Sequence, residues 1–190
     1  MNNINAIPDE LSGWNTTSRV VLQGYHPRLT VAFKPNGNPA PCRIETHFVL
    51  FQLTNDAFLD RYELARMDFG PSVGVECFGD ADLEAPAHSS AALQNSAVIS
   101  VTHEACVAKS IDIPFHLRYQ PSSTNNRYSN VTITHPTVFN ANRVPISINA
   151  LSQTIRVPVG NGNDYQWVSF VDQLAIFASI LYILYSCWNK

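Results

Sequence analysis

The sequence predicts an all-β domain, an antiparallel β-sandwich, followed by one C-terminal transmembrane α-helix. The first part rests on short runs that alternate apolar and polar residues, with Pro, Gly and Asn clusters between them. The second rests on Val168 to Trp188, VSFVDQLAIFASILYILYSCW, in which 16 of 21 residues are apolar. At about 1.5 Å per residue this stretch makes a rod of roughly 30 Å, the hydrocarbon thickness of a bilayer.

The strand candidates come in order. Leu29 to Phe33 alternates and is closed by the breaker Lys34-Pro35-Asn36-Gly37-Asn38-Pro39. Arg43 to Leu53 is a long strand candidate, and Val98 to Thr102 and Ile111 to Tyr119 follow. Val131 to Thr134, Val144 to Ile148 and Thr154 to Val159 complete the set. Pro114 and Pro158 imply edges, bulges or strand starts, because proline cannot donate to a ladder. One short helix is expected outside the C-terminal rod, over about Asp56 to Met67. The 190 residues then divide into an N-terminal segment (1–23), a lumenal β domain (24–160), a joint (161–166), the span (167–188) and a cytosolic end (189–190).

Charge supports the division. Residues 1–166 carry 11 basic and 14 acidic side chains, whereas Trp167 to Trp188 carries Asp172 alone. Tyr165 and Trp167 flank the start of the rod, and Tyr182, Tyr185 and Trp188 stand near its end, as in aromatic membrane belts. The competing reading, a buried helix of a soluble fold, needs cover on most sides, and a small β domain offers little. Lys190 beyond the rod and Asp164 before it place the last residues in the cytosol and the first 166 in the lumen. The sequons Asn15-Thr16-Thr17 and Asn130-Val131-Thr132 agree with a lumenal domain and make Asn15 and Asn130 glycosylation candidates. The opening MNNINAIPDELSGW has no basic n-region and no apolar h-region, so the insertion route stays open. A tail-anchored cytosolic domain is the alternative topology. Cys187 lies in the rod; Cys42, Cys77 and Cys106 allow at most one internal disulfide and leave its pairing undecided.

Polar residues in the rod form a stripe. Ser169, Asp172, Ile176, Ser179, Ile183 and Ser186 follow spacings of 3, 4, 3, 4 and 3, with Gln173 beside Asp172. Small and polar residues are how helices associate in hydrocarbon, and a buried Asp must face protein or water. The stripe is expected to bind a polytopic membrane partner, the alternative being that Asp172 snorkels back to the headgroups.

Signatures of chemistry are weak. A net charge of −3 and a pI near 6.0 argue against a nucleic-acid partner. Gly70-Pro71-Ser72-Val73-Gly74 matches G-x-S-x-G but lacks a following helix pattern, so a hydrolase at Ser72 is disfavoured. Asp80-Ala81-Asp82 matches D-x-D, with Glu84 nearby, and reads as a solvated turn rather than a sugar-transferase metal site. His26, His47, His88, His103, His116 and His135 include no i, i+4 pair, and no cysteines stand as C-x-x-C. Neither metal nor cofactor is expected. On a strand, His116 and Arg118 share one face while Phe115, Leu117 and Tyr119 share the other, an ordinary inside/outside pattern. No catalytic residue is assigned.

Six short pieces, taken together, resemble the PIG-X family. Gly24-Tyr25-His26-Pro27-Arg28-Leu29 is similar to its G-[FY]-H-R-x-L opening, with Pro27 added, and Cys42-Arg43 begins the next strand. Phe58-Leu59-Asp60-Arg61-Tyr62-Glu63-Leu64 resembles [LF]-[FY]-V-D-P-Y-E-L, with Arg61 in place of proline. Asp82-Leu83-Glu84-Ala85-Pro86 matches D-[IL]-E-x-P, and Ile113-Pro114-Phe115-His116-Leu117-Arg118-Tyr119 matches [IL]-P-[VFL]-H-x-R-Y, the most specific piece. Val157-Pro158-Val159-Gly160 stands just before the span, as in the family. The resemblance implies a non-catalytic endoplasmic-reticulum subunit of glycosylphosphatidylinositol mannosyltransferase I. Its partner would be the many-span catalytic subunit that takes the first mannose from dolichol-phosphate-mannose. The motif residues read as fold and interface positions. An unrelated single-span adaptor or receptor-like module is the alternative.

Overall fold

Alternation decides the inner strands. Leu29, Val31 and Phe33 point into the core from one strand, Val49 and Phe51 from a second, and Ala97, Ile99 and Val101 from a third, all fully buried. The computed structural model describes residues 14–22, 24–36, 42–80, 82–89, 91–147 and 152–188. Expectations that touch 1–13, 37–39, Ala81, Ile148 or 189–190 lie outside them.

Strands β1 (Trp14–Val21), β2 (Arg28–Pro35) and β7 (Lys109–Pro114) form one sheet in the order β1-β2-β7. A five-stranded sheet runs β11 (Pro145–Ser147), β10 (Thr137–Phe139), β3 (Ile44–Gln52), β6 (Ser96–Glu104) and β5 (Val73–Phe78). Two-stranded pairs are β9 (Tyr128–Thr134) with β12 (Ser152–Pro158), and β4 (Ala57–Phe58) with β8 (His116–Leu117). Every pairing among these strands is antiparallel. The inward residues of the two larger sheets and of β9 and β12 form a single apolar cluster, the arrangement of a sandwich core. Phe33 of β2 meets His47 of β3 across that core, with ring centroids 5.3 Å apart.

Pro114 and Pro158 are the last residues of β7 and β12, each in a strand that ends its sheet, where a missing donor costs least. The first helix, α1, is shorter than expected, Arg61–Arg66. Ala57, Phe58 and Leu59 are buried in succession, which no surface helix permits, and Asp60 then caps the helix by accepting from Tyr62 N and Glu63 N. Strand β1 falls within the 1–23 stretch. A 3₁₀ turn, Gly162–Asp164, leads into α2, Tyr165–Trp188, which is exposed along its length. Cys42 and Cys106 are disulfide-bonded, while Cys77 and Cys187 are free.

The core contains a polar knot. His47 Nδ1 and His103 Nε2 are 3.1 Å apart, and both rings lie edge-on to Trp14, whose indole N–H donates to Glu45. His47 is 1% exposed, and burial, helped by His103 and opposed by Glu45, lowers its pKa from 6.5 to about 4. Burial also lowers that of His103. In the unfolded chain His47 takes its proton near its ordinary value. Between pH 6.5 and about 4 the unfolded state therefore binds more protons, and stability falls as pH falls. His47 accounts for a loss of about 3 kcal/mol across that window. Urea unfolding at stepped pH is expected to show this slope, and His47→Leu to flatten it.

Candidate functional site

The motif pieces converge. Strand β8 is stitched on both sides: Leu117 N donates to Tyr25 O at 3.1 Å, and Arg118 N donates to Asp56 O at 2.8 Å. Within the β4–β8 pair, Phe58 stands opposite His116. Tyr25 Oη donates to Pro158 O at 2.9 Å, which ties the cluster to the strand that leads towards α2. Ala87 N donates to Tyr119 O at 3.0 Å. Five of the six pieces thus meet; the sixth, Cys42-Arg43, is held at the disulfide.

His116 stands at the centre. Its Nε2 is 2.7 Å from Glu63 Oε2, and a carboxylate only accepts, so Nε2 carries the proton. Its Nδ1 is 2.9 Å from His26 Nδ1. The Phe58 ring stacks on it at 5.1 Å with 13° between planes. Asp60, the α1 cap, has carboxylate oxygens close by: one ligand atom each from Asp60, Glu63 and His116 lie mutually within 4.8 Å. Cys42, Glu104 and Cys106 also cluster, but the sulfurs are consumed by the disulfide.

Arg118 corrects the sequence reading. Alternation placed it with His116 on one face and Tyr119 with Phe115 and Leu117 on the other. Strand β8 ends at Leu117, so the period of two stops there. Arg118 is 1% exposed and Tyr119 is 71% exposed. The guanidinium donates through Nη1 to the carbonyls of Asp82 and Ala85 and lies 4.6 Å over the Phe58 ring. Its Nε and Nη2 are buried without hydrogen-bond partners. Burial lowers its pKa, and Asp82 opposes that shift. The partner carbonyls lie 33 and 36 residues upstream, a separation with no signal in spacing.

The remaining candidates separate. Asp82 Oδ1 accepts from Glu84 N at 3.0 Å, a turn bond, and Asp80 faces Arg61 at 3.9 Å on the exposed surface. Pro86 sits half-buried beside Ala85, and Tyr62 is exposed on α1. Gly70-Pro71-Ser72-Val73 forms a turn closed by Val73 N to Gly70 O, and strand β5 follows rather than a helix. Asn15 and Asn130 are both exposed on strands. On α2 the stripe of Ser169, Asp172, Gln173, Ile176, Ser179, Ile183 and Ser186 covers an arc of about 140° at 100° per residue. Phe170, Leu174, Phe177, Leu181 and Leu184 face the other way on the same helix. Ser179 Oγ donates to Ala175 O at 2.7 Å.

Fold and site together define a class: a β-sandwich with a polar constellation near its last strand, and one C-terminal helix apolar and long enough to cross a membrane. The family model PIG-X / PBN1 matches residues 22–145, more than half of the chain, and the chain belongs to that family. It is therefore of the non-catalytic accessory-subunit kind of glycosylphosphatidylinositol mannosyltransferase I, a family of GPI-anchor biosynthesis. No curated protein matches the sequence. Among solved structures, a cohesin module from a Clostridium perfringens family 33 glycoside hydrolase is similar at a TM-score of 0.35 and 12% identity. That match covers 77% of this chain and 96% of the module, and at this level it carries no argument.

Proposed function

We propose that this chain is the stabilising subunit of the endoplasmic-reticulum glycosylphosphatidylinositol mannosyltransferase I. It binds the polytopic catalytic subunit that transfers the first mannose from dolichol-phosphate-mannose, and it performs no transfer itself. The observation that carries the reading is the family match over residues 22–145. The apolar helix α2 supports a single-pass anchor in that membrane. The Cys42–Cys106 disulfide and the exposed Asn15 and Asn130 sequons support a lumenal domain, where thiols oxidise and glycans are added.

Stabilisation follows from mass action: a subunit that binds only the folded partner raises that partner's apparent stability. Helix α2 supplies the membrane contact. Asp172, Gln173, Ser169, Ser179 and Ser186 meet polar groups of the partner, while the Phe and Leu face meets lipid. The motif residues His26, Asp60, Tyr62, Glu63, Asp82, Glu84, Pro86, Pro114, His116, Arg118 and Tyr119 hold the shape of the face next to the span. Affinity purification in mild detergent is expected to recover a many-span protein with the wild-type chain. Asp172→Leu with Ser179→Leu is expected to cut that recovery severalfold; undiminished recovery removes the stripe from the reading. Ser72→Ala and Asp82→Asn are expected to restore function fully in cells lacking the chain, and failure by either reopens the enzyme alternatives.

A further inference from the structure

The geometry points to a divalent transition-metal site of the zinc class made by Asp60, Glu63 and His116. The three residues come from two distant elements, the start of α1 and β8, and Glu63 and His116 are 53 residues apart in the chain. Their ligand atoms are already gathered within 4.8 Å of one another, and each residue is partly shielded from solvent. A tetrahedral zinc ion with bonds near 2.0 Å sets its ligand atoms about 3.3 Å apart, so side-chain adjustments of about 1 Å complete the site. One imidazole nitrogen with two carboxylates suits zinc better than calcium or magnesium, which favour all-oxygen shells.

Each ligand is held before any ion arrives. Asp60 caps α1 through Oδ1 alone, to Tyr62 N at 2.8 Å and Glu63 N at 3.3 Å, which leaves Oδ2 outside the cap. His116 is fixed by the Phe58 stack and by His26 at its far nitrogen. Such a hydrogen bond to the outer nitrogen is how proteins orient metal-bound histidines. Arg118, two residues past His116, turns its guanidinium to the Asp82 and Ala85 carbonyls and the Phe58 ring.

The proton count closes. Without metal, His116 Nε2–H donates to Glu63, and His116 Nδ1 accepts from His26 Nδ1–H. With metal on Nε2, that proton moves to Nδ1 and is donated to His26 Nδ1. The proton formerly there moves to His26 Nε2, at the exposed end of the pair. Both rings change tautomer, no net proton is released, and the Glu63 carboxylate turns from hydrogen-bond acceptor to ligand. The ion would clamp α1 to β8, joining two of the converging motif pieces. Sequence spacing could not show this, because neither an i, i+4 histidine pair nor a C-x-x-C is involved. The proposal stands apart from the accessory-subunit reading, and either can fail without the other.

The test uses the full chain in mild detergent, without a histidine tag and with the disulfide intact. Cys77→Ser and Cys187→Ser are present throughout, so free thiols contribute nothing. After chelator treatment, Zn²⁺ is titrated by calorimetry and thermal unfolding is read with and without it. One ion per chain is expected, with a zinc-dependent rise in Tm. His116→Gln and Glu63→Gln are each expected to weaken binding at least about tenfold and to abolish the rise. Asp60→Asn keeps the cap, since asparagine caps as well as aspartate, and so isolates the lost ligand from a lost helix. The Tm increment from zinc, not the absolute Tm, is the readout, so a merely destabilised variant is not mistaken for a loss of metal. Absence of stoichiometric zinc in the wild type overturns the site, as does an undiminished increment in Asp60→Asn and His116→Gln.

Discussion

Cys42→Ser with Cys106→Ser lowers the unfolding free energy by about 4 kcal/mol, the largest effect expected of any change outside the apolar core. The bridge spans a sequence separation of 64 residues, and closing a loop of that length removes much freedom from the unfolded chain. The enclosed segment holds β4, α1 and β5 as well as the strands it joins. In the folded state the bridge sits just past the end of the β3–β6 ladder, two residues beyond Ile44 opposite Glu104, and Ala105 N donates to Arg43 O at 2.7 Å in the step between. The ladder remains when the bridge is lost, so the native state should keep its circular dichroism. Urea unfolding of the reduced-equivalent variant should show a lower midpoint at an unchanged native signal. An unchanged midpoint would mean that the bridge does not form in the protein.

Arg118→Ala costs about 3 kcal/mol. Two carbonyls, of Asp82 and Ala85, lose a charged donor, and the Phe58 ring loses its cover. The 82–86 turn is then held chiefly by Ala87 N to Tyr119 O. Arg118→Lys recovers little, because a single ammonium cannot lie flat on Phe58 while reaching both carbonyls. Arg118→Met recovers more. The native guanidinium bears the cost of two buried, unpartnered nitrogens, Nε and Nη2, and an apolar chain of similar length does not. The expected order of stability is therefore Arg, Met, Lys, Ala, read by thermal unfolding and by protease cleavage near residues 82–86. Equal stability of the native chain and the three variants would mean that Arg118 does not anchor that turn.

Periodicity made part of this molecule legible. In β2, β9 and β12 the buried positions are Val, Ile, Leu or Phe at every second residue; in β3 and β6 the same period is kept with His47, Ala97 and His103 among the inward residues, and these strands stand where alternation put them. Strand β1 escaped because two of its inward residues are Trp14 and Thr16, so polar and apolar do not alternate cleanly. Strand β5 escaped because Gly74 and the half-buried Val73, Val75 and Cys77 give no strong apolar face. The candidate site was legible as pieces and not as a place. His116, Glu63, His26 and Arg118 were each named, yet their meeting depends on tertiary contacts such as Leu117 N to Tyr25 O. The inward turn of Arg118 depends on a strand that stops one residue earlier. The disulfide was limited by count to one bridge, but three cysteines leave three pairings, and only the β3–β6 register brings Cys42 to Cys106.

The central claim is that this chain braces a larger membrane enzyme and catalyses nothing. It is tested most directly by depleting the chain and measuring two quantities: the amount of the polytopic mannosyltransferase subunit per cell, and the mannose transferred per remaining copy. The amount is expected to fall severalfold while transfer per copy stays near normal. A normal amount of that subunit with transfer abolished would contradict it.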